Sequence, residues 1–186
     1  MDKKIATIIK SISHIEYVAQ VINPKEQVGL TSSDYKLGSF VLIGAKYVGL
    51  IYDTEIFNPN SLTLSSQKEE FEIFIPDYQD EIDILLKILV LGELDNNIAN
   101  QGLPSRALEA GMEVSQMSPN QIKDFHLSPE NKVQVKYHSS LNNFGSKLNP
   151  GLFKLISEQL KALLSPEQYK IIEVIERNLL WTVLSN

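Results

Sequence analysis

The chain has 186 residues, of which 43% are hydrophobic and 22% are charged, the composition of an ordinary soluble globular protein. It contains no cysteine, which excludes disulfides, thiolate zinc sites and cysteine nucleophiles and fits a reducing compartment such as the cytoplasm. The net charge of −6 argues against a large phosphate-binding surface.

Neither the N-terminus nor the longest apolar run indicates a membrane protein. The opening MDKKIATIIKSIS has no apolar stretch of the signal-peptide type. The run ILLKILVLG is interrupted by Lys87 and is far shorter than the roughly 20 residues that a membrane-spanning helix requires. We therefore expect a cytoplasmic protein without membrane contact.

The first hundred residues are dominated by strand signals. Five runs are rich in β-branched and aromatic residues: KIATIIK, IEYVAQVI, SFVLI, YVGLIYDTEIF and FEIFIP. Gly44 lies between the third and fourth runs and offers the positive φ that a tight turn requires. Residues 36–56 are therefore predicted to form a short-turn hairpin.

The segment at residues 81–94 is ambiguous between strand and helix. Ile82, Ile84, Leu86, Ile88 and Val90 alternate as in a strand, but the run is long and rich in leucine. We favour a strand, because a glycine and an Asp-Asn-Asn turn signal follow it. Five or six short strands, separated by turns that contain glycine, predict a small closed β-barrel, since closure removes exposed sheet edges.

The second half of the chain carries helix signals. Ser118 and Ser165 are each followed by proline at the first helical position and by glutamine two residues later, a pattern typical of helix starts. They predict a short helix to about Phe125 and a longer one to about Leu184. The run NPGLFKLISEQLKALL has helical spacing, so the last two helices are predicted to form a hairpin.

These elements predict an α+β fold, a small closed β-barrel followed by a C-terminal helical hairpin. We expect a barrel domain over residues 1–100, then an extended segment with a short helix and strand packing on the barrel over 101–140. The helical hairpin occupies 141–186. The final helix is apolar around much of its girth, so we expect it to pack on the barrel or on another subunit.

No recognisable catalytic motif is present. The stretches GSFVLIGAK and FGSKLNPG lack the spacing of a Walker loop, and there is no G-x-S-x-G elbow. His14, His126 and His138 have no partner at the spacing of a helical metal face, so we interpret them as structural. We expect no enzyme activity, no catalytic residue, no cofactor and no metal.

Acidic and aromatic residues also have a structural interpretation. Asp77, Asp80, Glu81 and Asp83 form either a solvated acidic loop, which we favour, or a cation or acid–base site. The aromatic residues of the barrel strands have few cations nearby, and the whole chain has two arginines. We interpret most of these aromatic residues as core rather than as a nucleic-acid surface.

Two segments, IATIIKSISHIEYVAQVI and DYKLGSFVLIGAKYVGLIYDTEI, resemble the HAS-barrel, the small barrel at the N-termini of HerA-type DNA translocases and ATP synthase subunits. The matching strand positions are Gly38, Phe40, Val41, Ile43, Val48, Gly49 and Ile51. Pro104, Gly111, Val114 and the Ser118 cap continue the similarity, which covers about residues 4–126. A HerA-like chain would then enter its ATPase core, whereas this chain has the helical run that begins at Asn149.

The resemblance implies a barrel without its motor, used for oligomer packing and for docking a protein partner such as a translocase ATPase or a nuclease. We therefore expect a non-catalytic interaction module, with a homo-oligomer as one form of assembly. The interaction residues that we select are Asp53, Tyr78 and Trp181. The alternative is a nucleic-acid-binding barrel accessory to a DNA-processing complex, which we do not favour.

Overall fold

The computed structural model describes residues 3–23, 29–57, 83–138, 141 and 151–184, with the backbone alone for 178–184. The strands are β1 (Lys4–Ser11), β2 (Glu16–Val21), β3 (Phe40–Ile43), β4 (Tyr47–Phe57), β5 (Asp83–Asp95), β6 (Ile98–Gln101) and β7 (Glu113–Gln116). The helices are α1 (Pro119–His126), α2 (Gly151–Leu163) and α3 (Pro166–Leu184).

Six antiparallel strands close into a barrel in the order β2, β1, β7, β3, β4 and β5, and β5 pairs back with β2. β6 pairs only with the C-terminal end of β5. The predicted closed barrel and the α+β class are confirmed. One closing strand, β7, comes from beyond the first hundred residues and pairs with both β1 and β3.

The barrel has two apolar cores, one on each side of its wall. The interior core takes side chains from all six closing strands, among them Ile8, Tyr17, Val41, Ile51, Ile88 and Val114. The second core lies between the outer face of β3, β4 and β5 and the three helices, and includes Phe40, Leu50, Leu89, Phe125 and Ile156. Burial of both faces requires apolar side chains at nearly every position of the shared strands.

This double burial explains the ambiguity at residues 81–94, of which the described part, from Asp83 onward, is confirmed as a strand. In β5 the side chains of Leu86, Ile88 and Val90 lie in the interior core, while Leu89 and Leu91 lie in the outer one. A strand buried on both faces loses the polar alternation that would identify it by pattern.

Positive φ angles make the two tight turns. The predicted hairpin of β3 and β4 is present, and Gly44 and Ala45 at its turn have φ of 55° and 58°. Asn96 and Asn97 connect β5 and β6 with φ of 48° and 64°. Asparagine tolerates this left-handed region better than most residues, and two consecutive residues there suit the twist of a hairpin.

The two serine-led helix starts are confirmed. The Oγ of Ser118 accepts the amide hydrogen of Gln121, whose side chain accepts the Ser118 amide hydrogen at 2.7 Å. Ser165 and Gln168 repeat this reciprocal arrangement. α2 and α3 are in contact and are joined by residues 164–165.

Two sequence predictions lie outside the described residues: the strand in FEIFIP at 71–76, and all of the acidic cluster except Asp83. Among the residues that the structure describes, no helix is long and apolar enough to cross a membrane.

Candidate interaction surface

The contact between α2 and α3 combines apolar packing with a buried polar cluster. Ile172 of α3 is fully buried, and Ile175 packs at the edge of the outer core. Ser157, on α2 and 1% exposed, donates its hydroxyl hydrogen to Glu176 at 2.7 Å and lies 2.8 Å from the hydroxyl of Tyr169. These bonds fix which side of α3 faces α2.

The outward side of α3 exposes apolar side chains. Ile171 is 48% exposed and Val174 is 57% exposed, and Val174 is three positions after Ile171, so they lie about one turn apart on the helix surface. The predicted excess of apolar surface on the final helix is therefore present on the described part of α3. Trp181 lies on the same helix, seven residues after Val174, and its side chain is outside the described residues.

Asp53 lies on the outer face of the sheet, in an ion-pair cluster. Lys87 Nζ is 2.9 Å from Asp53 Oδ2 and 3.5 Å from Glu55 Oε2, so two carboxylates share one ammonium group. The hydrogen bond to Asp53 raises the pKa of Lys87. The structure therefore places Asp53 beside Lys87 and Glu55, and the third selected residue, Tyr78, is outside the described residues.

The buried polar side chains of the described chain are engaged. Glu16 is 4% exposed and accepts a hydrogen bond from the hydroxyl of Tyr52 across the outer face of β2 and β4. Burial, followed by the bond to Glu16, raises the pKa of Tyr52. Glu16 and Tyr52 are both 5% exposed or less, so this pair is part of the packed barrel wall.

The histidines lie at three separate places. His14 Nε2 is 2.8 Å from the carbonyl of Pro104, and His138 Nδ1 is 2.9 Å from the carbonyl of Val135. His126 is fully buried at the end of α1 and bonds to Ile122 and Tyr137. Among the described residues, no three His, Asp or Glu side chains form a group that could hold a metal ion.

A cleft of about 540 Å³ lies between the end of β7, the start of α1 and the end of α2. Met117, Ile122 and Leu163 form its apolar part, and Lys3 lies at its rim. The Lys3 ammonium is already bonded to the Gly29 carbonyl and to Asp34, both at 2.7 Å. The cleft could therefore hold a ligand by its shape, but the charge of Lys3 is already paired.

Several lysines of the described chain are neutralised locally by acidic neighbours. Ion pairs join carboxylates to Lys3, Lys4, Lys46, Lys87 and Lys132. Binding to a phosphate backbone would require these lysines to exchange partners. Four aromatic residues of the barrel strands are buried and are not stacking platforms for bases: Tyr17, Phe40, Tyr47 and Tyr52. Phe57, at the end of β4, is 37% exposed.

Comparison with known families gives one match. A family model described as a domain of unknown function, DUF8166, matches residues 1–185. The chain belongs to the DUF8166 family. The matched span covers the barrel and all three helices, so the DUF8166 domain includes both parts of this fold. No curated protein matches the chain.

In this DUF8166 chain the sequence led us to select Trp181 on α3, whereas the exposed apolar side chains of the described part of that helix are Ile171 and Val174. The signal for these two residues was present, because their spacing places them on a side of α3 directly next to that of Ile172 and Ile175, within one broad apolar stripe. Which of the two apolar sides is buried depends on how α3 contacts α2.

Proposed function

We propose that this chain is a non-catalytic protein–protein interaction module that binds its partner through the outward side of α3. The observation that carries the proposal is the exposure of Ile171 and Val174, one turn apart, beside a buried Ile172. Adjacent exposed aliphatic side chains on a packed helix favour a partner that removes them from water. Ordinary isolated surface hydrophobics would not share one helix face.

The partner class follows from the HAS-barrel resemblance. We propose that the barrel is of the type found in HerA-like translocases and that the partner is a translocase ATPase or a nuclease. The closed six-strand antiparallel barrel supports this proposal, as does the position of Gly49 where the resemblance requires a glycine. A Cβ atom at Gly49 would meet Ile88 Cγ2 at 2.5 Å inside the barrel.

Affinity capture from host lysate tests the proposal, with nuclease-treated and untreated halves compared. We expect a translocase or nuclease in both halves, and loss of that protein with the double variant Ile171→Ser, Val174→Ser. The matched control is Ile98→Ser, which removes an exposed isoleucine, 63% accessible, from β6. A partner that survives the double variant contradicts the α3 surface, and one recovered only without nuclease supports the nucleic-acid alternative instead.

Self-association is the second outcome to measure. Light scattering coupled to size exclusion, over a range of protein concentrations, reports whether α3 pairs with another copy of the chain. A homo-oligomer that dissociates in the α3 double variant places the interaction between copies of the chain. A monomer at all concentrations leaves the heterologous partner as the proposal.

A further inference from the structure

Among the described residues, β3 covers only the first part of the outer edge of β4. β3 pairs with β4 from Tyr47 to Leu50, and two further bonds join Ile51 to Gly38 and Ser39. β4 continues to Phe57 and pairs on its other side with β5 as far as Asp83. In the described part of the chain, no strand pairs with the outer side of residues 54–57.

The backbone of this edge is oriented for pairing. The Thr54 amide hydrogen is bonded to Asp53 Oδ1 at 2.9 Å rather than to β5. Since N–H and C=O groups alternate in direction along a strand, Thr54 and Ile56 present these groups to the outer side. A register shift between Ile51 and Asp53 marks the point where β3 stops covering β4.

The side chains of the edge alternate in chemistry. Asp53 and Glu55 lie on the outer face, where they share Lys87, so one of the two carboxylates is not neutralised by that lysine. Ile56 points to the other face and is 71% exposed. Phe57 is 37% exposed and follows Glu55 on the same face by this alternation. An added strand would therefore meet two carboxylates and an aromatic ring on one face and Ile56 on the other.

We propose that residues 53–57 of β4 accept an extended strand of a partner protein in which basic and β-branched residues alternate. Main-chain bonds to the Thr54 carbonyl and to both backbone groups of Ile56 supply the attachment, since the Thr54 amide is already bonded to Asp53, and the alternation supplies the selectivity. Pairing of this edge with a second copy of itself is opposed, because it would bring the acidic side chains of both copies together. This inference goes beyond the proposed function, because it uses no residue of α3.

Fluorescence anisotropy with synthetic peptides tests the inference on the full chain at low salt. The probe is a short labelled peptide in which lysine alternates with valine. One comparison peptide has glutamate in place of lysine, and another has proline at its centre, which removes a main-chain donor. We expect both changes to weaken binding about tenfold or more.

A charge exchange provides the control for this site. Glu55→Lys should weaken binding of the lysine peptide by about tenfold and strengthen binding of the glutamate peptide, with the thermal melting curve of the protein unchanged. Glu130→Lys changes an exposed charge elsewhere and should leave both affinities unchanged. The α3 double variant should also leave them unchanged, so the two proposals can fail separately.

Two results would overturn the inference. One is equal binding, or no binding up to about 1 mM, for the lysine, glutamate and proline peptides. The other is slow hydrogen exchange at the Ile56 amide in the free protein, since that amide would then already be paired. Protection of the Ile56 amide only on addition of the lysine peptide supports the inference.

Discussion

The hydroxyl of Tyr137 and the Nε2 atom of His126 lie 2.7 Å apart in the outer core. His126 Nδ1 lies 2.7 Å from the Ile122 carbonyl, which can only accept a hydrogen bond, so Nδ1 carries the hydrogen. In the neutral ring Nε2 then accepts from Tyr137. Phe40 and Phe125 pack against the imidazole with their rings nearly perpendicular to it. The arrangement requires a neutral histidine and joins α1 to the segment that follows it.

The buried imidazole makes the protein sensitive to mild acid. Burial lowers the pKa of His126 from its ordinary 6.5 to about 4, so the unfolded chain binds a proton that the folded chain excludes. This contribution to stability is complete above pH 6.5 and is lost as the pH falls toward 4. We expect a loss of about 3 kcal/mol at pH 4 from this group. Urea unfolding at a series of pH values measures it.

Two variants isolate the histidine from the carboxylates that titrate in the same range. His126→Gln should remove about one proton from the pH dependence between pH 6.5 and 5. His138→Gln, at a partly exposed site, is the control for the loss of an imidazole. An unchanged slope in His126→Gln would show that other groups cause the acid sensitivity.

Removing the Tyr137 hydroxyl should destabilise the fold without changing its shape. In Tyr137→Phe, the Nε2 atom of His126 is left buried without a donor, and we expect a loss of about 1–3 kcal/mol in the free energy of unfolding. Tyr35→Phe, at a partly exposed tyrosine, is the control and should change stability by about 0.5 kcal/mol or less. Equal effects of the two variants would contradict the importance of the His126 contact.

Alanine variants of Gly92 and Gly102 distinguish the cost of backbone strain from the cost of steric overlap. Both have positive φ, 152° and 142°. A Cβ atom at Gly92 would meet the Asn100 carbonyl oxygen at 2.4 Å, whereas one at Gly102 would meet no atom within 4 Å. Both alanine variants should be destabilised, and Gly92→Ala by about 1–3 kcal/mol more, because strands β5 and β6 must separate. Thermal unfolding compares them, and equal melting temperatures would mean that the strands yield freely.

The start of α3 depends on the Ser165 cap. Ser165→Ala removes the oxygen that accepts the Gln168 amide hydrogen, and we expect a loss of about 1 kcal/mol. Ser128→Ala is the matched control, because Ser128 also precedes proline but its Oγ accepts the Lys132 amide hydrogen in a turn. We expect a smaller effect there. The free energy of unfolding of the two variants, measured in urea, decides the comparison.

The difference between Ser128 and the two capping serines shows what a local Ser-Pro motif can and cannot predict. All three are followed by proline, but only Ser118 and Ser165 have a glutamine at the third helical position, and each begins a helix. After Ser128 the corresponding residue is Asn131, with a φ of 60° that ends any helix. The side chain two residues beyond the proline therefore predicts the outcome.

The sequence by itself determined the elements whose causes are local. Turn residues such as Gly44 and Asn96 and the two serine caps act within a few residues, so their structures follow from their neighbours. Strand composition also predicted a closed barrel. The existence of a closed barrel and the helix starts could therefore be predicted before any contact between distant segments was known, but not the strand that completes the barrel wall.

Tertiary structure alone decided which distant segments meet. β7 closes the barrel between β1 and β3, more than a hundred residues after β1, and nothing in its four residues specifies those neighbours. The local sequence also does not specify which side of α3 stays exposed. Nor does it specify that pairing on the outer side of β4 ends after Ile51 in the described chain. Each depends on long-range packing and strand pairing, which are set by the whole fold rather than by local preference.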